Sequence, residues 1–406
     1  MNSRERIQAA FSHRQPDRVP VDLASHGSSG IAAIAYAKLR DYMGLEKRPI
    51  RVFDPVQQLA LVDEDVLDRF GADAVDLGRG FALDDVDWTD WVLPDGTPCQ
   101  IPRWVVPERG QDEWVIRAQD ETVIARMPDG VLYFEQCYYP MAERPGCSIS
   151  EAMEHCAWTA VVGPPGPLID GPDGMERFAA GAARLRQSTD RAIVWSFGGN
   201  LLEMGQFFFR NDNFFALLAS EPRMVHEFLD KLVEFYLTNL ERLLAAIGKY
   251  IDVITFVDDL GMQNGLLLSP RMYREFFKPR HGMLWQRAKQ LADVKVLLHC
   301  DGAVRELIPD LIEVGLDALN PVQTTLPGMD ARRLKADFGK DLLFWGGGCD
   351  GQTVLFDGTL EDIKRHTREQ VSILSPNGGF IFQQVDNIMA NIDPCKVLTM
   401  YEAIAG

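Results

Sequence analysis

The sequence predicts an α/β protein of the (β/α)8 TIM-barrel class with a hairpin-rich insertion after the second strand. Three observations predict it. Short apolar runs alternate with helical stretches, the pattern of parallel strands joined by crossover helices. Eight such runs can be counted, the number that closes a barrel. Polar residues able to do chemistry gather just past the ends of these runs, where barrel enzymes keep their reactive groups.

The eight runs are Arg18–Leu23, Asp73–Leu77, Ile193–Phe197, Val253–Val257, Val294–Leu298, Ala318–Pro321, Leu342–Trp345 and Gly379–Phe382. An open doubly wound sheet would look similar locally, but no Gly-x-Gly-x-x-Gly follows any run, which argues against dinucleotide binding. Helical periodicity is clearest over Phe215–Ala246, Pro270–Leu291 and Leu360–Leu374. Ser269-Pro270 reads as an N-cap followed by proline in the first turn, which leaves Asp258 to Gly265 as a strand-to-helix loop. The gap between the second and third runs is too long for one crossover helix. It carries Asp95-Gly96 and Asp129-Gly130 turn signals between strand-like residues, so residues 86–136 are expected to form β-hairpins over one end of the barrel. Such an insertion could serve as a lid or merely pack on the shell. With no repeat, linker or low-complexity tract, residues 1–406 are expected to form one domain.

Composition narrows the function. A chain of 406 residues, 46% hydrophobic and 25% charged, has ample material for a core. Its net charge of −18 argues against a nucleic-acid partner and for a small substrate or a protein. No apolar stretch approaches the roughly 20 residues of a membrane helix, and Met1 to Arg6 has no signal-peptide core, so a cytoplasmic protein is expected. Seven scattered cysteines do not suggest a disulfide framework; reduced thiols, one of them a metal ligand, fit better.

The strand ends supply the candidate site. His26 follows the first run, Asn200 and Glu203 the third, Asp258, Asp259 and Gln263 the fourth, His299 and Asp301 the fifth, and Asn320 and Gln323 the sixth. The seventh adds Cys349, Asp350 and Gln352, and the eighth Gln383, Asp386 and Asn387. Side chains alternate along a strand, so His299 and Asp301 should face one way and Cys300 the other, toward packing. His299, Asp301 and Cys349 make a mixed N/O/S set suited to Zn2+ with an open position for substrate. Asp386 could replace or complete this set, and Asp258 is a weaker ligand candidate. Asp258, Asp259 and Asp386 are the candidate catalytic carboxylates; His26, Glu203, Gln263, Asn320 and Gln383 are the candidate substrate contacts. Plainer readings stand beside these: a hydrogen-bonded structural His299, a Cys349 that fills a tight turn, and a helix-capping Asp258-Asp259 loop. Phe207 to Phe209 and Phe214-Phe215 read most simply as helix core.

These residues resemble the uroporphyrinogen decarboxylase superfamily, and within it the corrinoid-dependent methyltransferases. The resemblance rests on Ser3 to Arg6 with Pro16 to Val21, on Asp258 to Gly261 with Ser269-Pro270, and most specifically on His299 to Gly302, Asp310 to Ile312, Leu319 to Gln323, Phe344 to Gly348 and Asp350-x-Gln352. The decarboxylase carries an N-terminal Arg-Gln-Ala-Gly-Arg segment for its porphyrin acids. Ser25 to Gly30 stand there instead, without arginine, which argues against a tetra-acid substrate. The methyltransferases typically bind zinc through His-x-Cys and a further cysteine near the last strand. Here Asp301 and Asp386 stand in those places, with Cys349 as the compensating thiolate.

The resemblance implies methyl transfer from a small donor to the cobalt of a corrinoid (cobalamin) carried by a separate protein. A carboxylate-rich ligand set is hard, which favours an oxygen leaving group, as in O-demethylation of a methoxylated aromatic compound. Homodimerisation is left open. Two other readings compete: a metal-independent decarboxylase using Asp258, Asp259 or Asp386, and a non-catalytic binding barrel.

Overall fold

The computed structural model describes residues 1–81 and 85–405. Seven strands, β1 (Ala74–Asp76), β2 (Ala192–Gly198), β3 (Val253–Val257), β4 (Lys295–His299), β5 (Ala318–Asn320), β6 (Leu343–Trp345) and β7 (Phe380–Ile381), form one parallel sheet in chain order. The first expected strand is reduced to a single parallel bridge, Val21 to Phe382. It still joins the two sheet edges. Asp22 N donates to Phe382 O and Phe382 N to Pro20 O on one side, and Asp73 N donates to Val21 O on the other. A longer ladder is blocked because Pro20 has no N–H and the Val21 N–H is taken by the Asp73 carboxylate at 2.9 Å.

Two apolar layers follow from strand alternation. Ala74, Ala192, Val194, Val253, Leu297, Ala318, Leu343, Trp345 and Ile381 pack together inside the sheet's curl. Their neighbours Val75, Ile193, Ile254, Phe256, Val296, Leu298, Phe344 and Phe380 face outward into the helix layer. Trp345 is fully buried and, as a buried indole requires, its Nε1 donates to Asp22 Oδ2 at 2.8 Å. The N-terminal helix Ser3–Phe11, started by an Asn2/Glu5 capping box, adds Ile7, Ala10 and Phe11 to the interior layer. Gly379 N, just before β7, donates to Ala10 O, so this helix closes the N-terminal end of the strands. The C-terminal end is left for chemistry.

The helix expected over Phe215–Ala246 is two helices, Asn211–Ser220 and Pro222–Ile247, because Pro222 can begin a helix but not continue one. The Ser269 side chain caps the next helix by accepting from Met272 N. That helix runs Pro270–Met272, passes through a π-helical turn at Tyr273–Phe277, and continues as Lys278–Leu291. Leu360–Leu374 starts at a Thr359/Asp362 capping box.

Between β1 and β2, Trp88–Val92 pairs antiparallel with Pro98–Pro102 around Asp95-Gly96, and Glu113–Arg117 pairs with Val123–Pro128. Gly96 and Gly130 both take φ +87, the left-handed turn conformation that glycine permits. A strand not expected from the sequence, Ile50–Asp54, runs parallel to Pro98–Pro102. Gln136 Nε2 donates to Phe207 O at 2.7 Å, tying this region to the helix after β2. No helix among the described residues is long and apolar enough to cross a membrane.

Candidate metal-binding active site

Alternation fixes which strand-end side chains converge. Leu297 points inward, so His299 and Asp301 share the interior side, while Leu298 and Cys300 pack outward. Val253 also points inward. Its even-numbered neighbours Ile254 and Phe256 face the helices, which sends Asp258 outward and returns Asp259 to the mouth. Asp259, His299 and Asp301 accordingly meet, with one donor atom of each within 4.8 Å of the others. Asp259 Oδ1 accepts from Asp301 N at 2.7 Å, binding the two loops together.

Hydrogen bonding orients His299. Asn320 Nδ2 donates to the Trp345 carbonyl (2.9 Å) and to Gln383 Oε1 (2.8 Å), which turns Asn320 Oδ1 toward His299 Nδ1 at 2.9 Å. Gln383 is fixed in turn by donating from Nε2 to Ser28 O at 2.7 Å. Neutral His299 therefore carries its proton on Nδ1 and presents the Nε2 lone pair to the mouth, the arrangement of a metal-ligating histidine held by a neighbouring acceptor. Nε2 stands 3.8 Å from Asp301 Oδ2, beyond hydrogen-bond reach. Asp301 Oδ1 is buried without a partner.

The charges around this group call for a cation. Burial works against a protonated His299, yet Asp301, Asp259 and Asp386 outweigh it and raise the imidazole to about 9. Burial also raises Asp301, to about 7, with His299 opposing and Asp386 and Asp259 adding to the rise. Asp386 is raised by burial against the pull of His299. Glu203 is pushed well above the usual carboxylate range, by burial first and then by Asp259 and Asp258. Among the described residues no Lys or Arg forms an ion pair with Glu203, Asp259, Asp301 or Asp386. An imidazole Nε2 without a hydrogen bond, an orphaned carboxylate oxygen and excess negative charge fit a divalent metal with N/O ligands, zinc included, which would displace the Nε2 proton.

Several residues lie elsewhere than expected. Cys349 does not join the cluster: it is fully buried, its thiol points to Asp350 O, and burial pushes it up to about 12. Asp259 takes the third place instead. Asp258 is not free for catalysis, because Leu202 N (3.1 Å), Glu203 N (3.0 Å) and His281 Nε2 (3.1 Å) already occupy its oxygens. Asn320 and Gln383, expected as substrate contacts, are fully buried with their amides consumed behind His299. Gln263 is exposed in the turn between the short strands Gly261–Met262 and Gly265–Leu266. Asp386 takes φ +56 after β7 and lies near enough for its charge to act on His299.

His26 is buried within electrostatic reach of His299. Its Nδ1 accepts from Ser28 N at 3.3 Å and its Nε2 is 3.5 Å from Asp22 Oδ2. Glu203 lies among Asp259, Asp258 and His299, and Asn200 Nδ2 donates to its Oε2 at 2.9 Å. His281 and Tyr273, behind Asp258, carried no sequence signal.

Fold and site together define a barrel with its reactive groups at the C-terminal mouth of the strands, and the comparisons with known proteins agree. Residues 209–406 match the family model for uroporphyrinogen decarboxylase (URO-D). The matched segment contains β3 to β7 and the whole Asp259, His299 and Asp301 cluster. Among solved structures, a methyltransferase from Methanosarcina mazei superposes with a TM-score of 0.60 at 16% identity, covering 100% of this chain and 98% of that one. That likeness is one of fold. No curated protein sequence matches the chain.

Proposed function

We propose that the protein is a metal-dependent methyltransferase that moves a methyl group from a small donor, a methoxylated aromatic compound, to the cobalt of a corrinoid carried by a partner protein. The observation that carries this reading is the meeting of Asp259, His299 and Asp301 around an unpartnered carboxylate oxygen and an imidazole Nε2 that makes no hydrogen bond. The fold shared with a methyltransferase supports it. These three residues would hold the metal, zinc being the expected ion. A metal bound there supplies Lewis acidity to the heteroatom from which the methyl group departs. The chain's own residues do the rest. Asn320, anchored by the Trp345 carbonyl and Gln383, fixes the His299 tautomer. Glu203, whose proton is retained chiefly by burial, can supply that proton to the departing oxygen. A donor set without sulfur is harder than the thiolate-rich sets that suit thiol activation, which supports an oxygen leaving group.

The test is to load the purified protein with Zn2+ and mix it with chemically reduced cobalamin and a panel of methoxylated phenols. Demethylated phenol should form together with the methylcobalamin absorption spectrum, and chelation should abolish both. Absence of turnover across the panel with metal-replete protein, in the presence of corrinoid proteins as well as free cobalamin, would overturn the reading. The family match keeps a decarboxylase as the second reading. The mouth gives it little support: no arginine stands in Ser25 to Gly30, and Asp258 is committed to backbone amides. Release of CO2 from a porphyrinogen would decide for it.

A further inference from the structure

Behind the metal cluster lies a second polar array that the proposed chemistry does not use. Asp258, His281 and Tyr273 are each at most 1% exposed, although each carries a polar side chain. The Asp258 carboxylate can only accept, so His281 carries its proton on Nε2 and donates it to Asp258 Oδ2 at 3.1 Å. His281 Nδ1 then accepts from Tyr273 Oη at 3.3 Å. The imidazole is stacked on Trp285, with centroids 5.0 Å apart and planes 6° from parallel, so it has no room to turn.

The helix is shaped to make this alignment. Tyr273 and His281 are eight residues apart, which in an uninterrupted α-helix leaves them about 80° out of line. The π-helical turn at Tyr273–Phe277 takes up one residue and brings them to one face, like residues seven apart. At the other end of the array, Asp258 accepts from Leu202 N and Glu203 N, the first two amides of the helix Leu202–Phe209. A carboxylate is favoured at that place, both by the unpaired amides and by the helix dipole. Glu203, whose own amide is held, carries the side chain that feels Asp259 and His299 across the site.

We propose that Tyr273, His281 and Asp258 form a buried positioning relay that sets the start of the Leu202–Phe209 helix and thereby holds Glu203 against the Asp259, His299 and Asp301 cluster. The role of Glu203 in methyl transfer rests on the function proposed above; the relay itself does not. Amide hydrogen exchange of the metal-free full-length protein, followed at Leu202 and Glu203, keeps the two apart. His281→Leu should speed exchange at these two amides by roughly tenfold, the order expected for losing one hydrogen bond to a charged group. His281→Gln, which returns an N–H near the Nε2 position, should restore protection to within about threefold. Exchange in β3 to β5 should stay unchanged in both. Tyr273→Phe, which removes only the hydroxyl, should speed the same two amides, and it carries the test if His281→Leu does not fold. Unchanged exchange at Leu202 and Glu203, or an equal rise through the barrel strands, would overturn the proposal. A protein that transfers no methyl group would leave this measurement intact.

Discussion

Replacing Asn320 tests how the site is held together. Asn320 is fully buried, and its amide serves three partners: His299 Nδ1, the Trp345 carbonyl and Gln383 Oε1. Asn320→Leu keeps the branched shape but strands all three. Each buried group left without a partner costs about 1–3 kcal/mol. Allowing Gln383 to relax, a loss of roughly 3–6 kcal/mol is expected, a large fraction of the about 5–15 kcal/mol that holds a domain folded. The histidine also loses the acceptor that fixes its tautomer, which should weaken metal binding by about 10- to 100-fold. Asn320→Asp separates the two effects. It still accepts from His299 Nδ1 but can no longer donate to Trp345 or Gln383, so it should lose stability while binding metal nearly as well as the parent protein. Urea titration gives the first quantity and Co2+ titration by absorption the second. Equal Co2+ affinity in Asn320→Leu and the parent would refute the tautomer argument.

Other expectations follow from the same geometry. Burial raises Asp76 to about 7 from its ordinary 3.8, so between those values the folded chain holds a proton that the unfolded chain has released. Its stabilising contribution is therefore full below about pH 4 and is lost as pH rises toward about 7, each pH unit in that window removing up to about 1.4 kcal/mol; urea midpoints across that range should slope down in the parent and flatten in Asp76→Asn. In metal-free protein, Asp301→Asn should lower the His299 titration midpoint by about one pH unit or more, because the leading carboxylate that raises it is gone; an unmoved midpoint by NMR would contradict the charge arrangement. Cys349→Ala should leave metal stoichiometry and affinity unchanged, as measured by metal analysis and titration, since its thiol lies outside the cluster. Gly205→Ala should destabilise the protein by about 1–3 kcal/mol in a thermal or urea melt, because a Cβ there would come within 2.1 Å of the Phe214 ring.

The sequence made the barrel legible because strand burial is periodic and local. Val253 to Val257 and Lys295 to His299 announce themselves by apolar content alone. The first strand is shorter than its apolar run implies, because Pro20 and the Asp73 side chain remove the backbone donors a longer ladder needs. Ile50–Asp54 gives no local signal, because its partner, Pro98–Pro102, lies far away in the chain. At the site, the parity of His299, Cys300 and Asp301 could be read directly. The same rule, continued past Val257, separates Asp259 from Asp258; without the inner and outer layers in view, the two adjacent carboxylates looked alike. Cys349 could not be placed that way. Gly346 and Gly347 take φ +99 and +80, which breaks the alternation between β6 and the cysteine. His281 was invisible for a related reason, since a π-helical turn shifts the helical register that assigns faces.

The most direct measurement is anomalous diffraction at the zinc edge from crystals of protein loaded with one equivalent of Zn2+. A single peak is expected at the barrel mouth, about 2.0–2.2 Å from His299 Nε2 and from carboxylate oxygens of Asp259 and Asp301, with no sulfur in contact. A peak bonded to Cys349 or Cys300, or no peak at this cluster in zinc-replete crystals, would contradict the assignment.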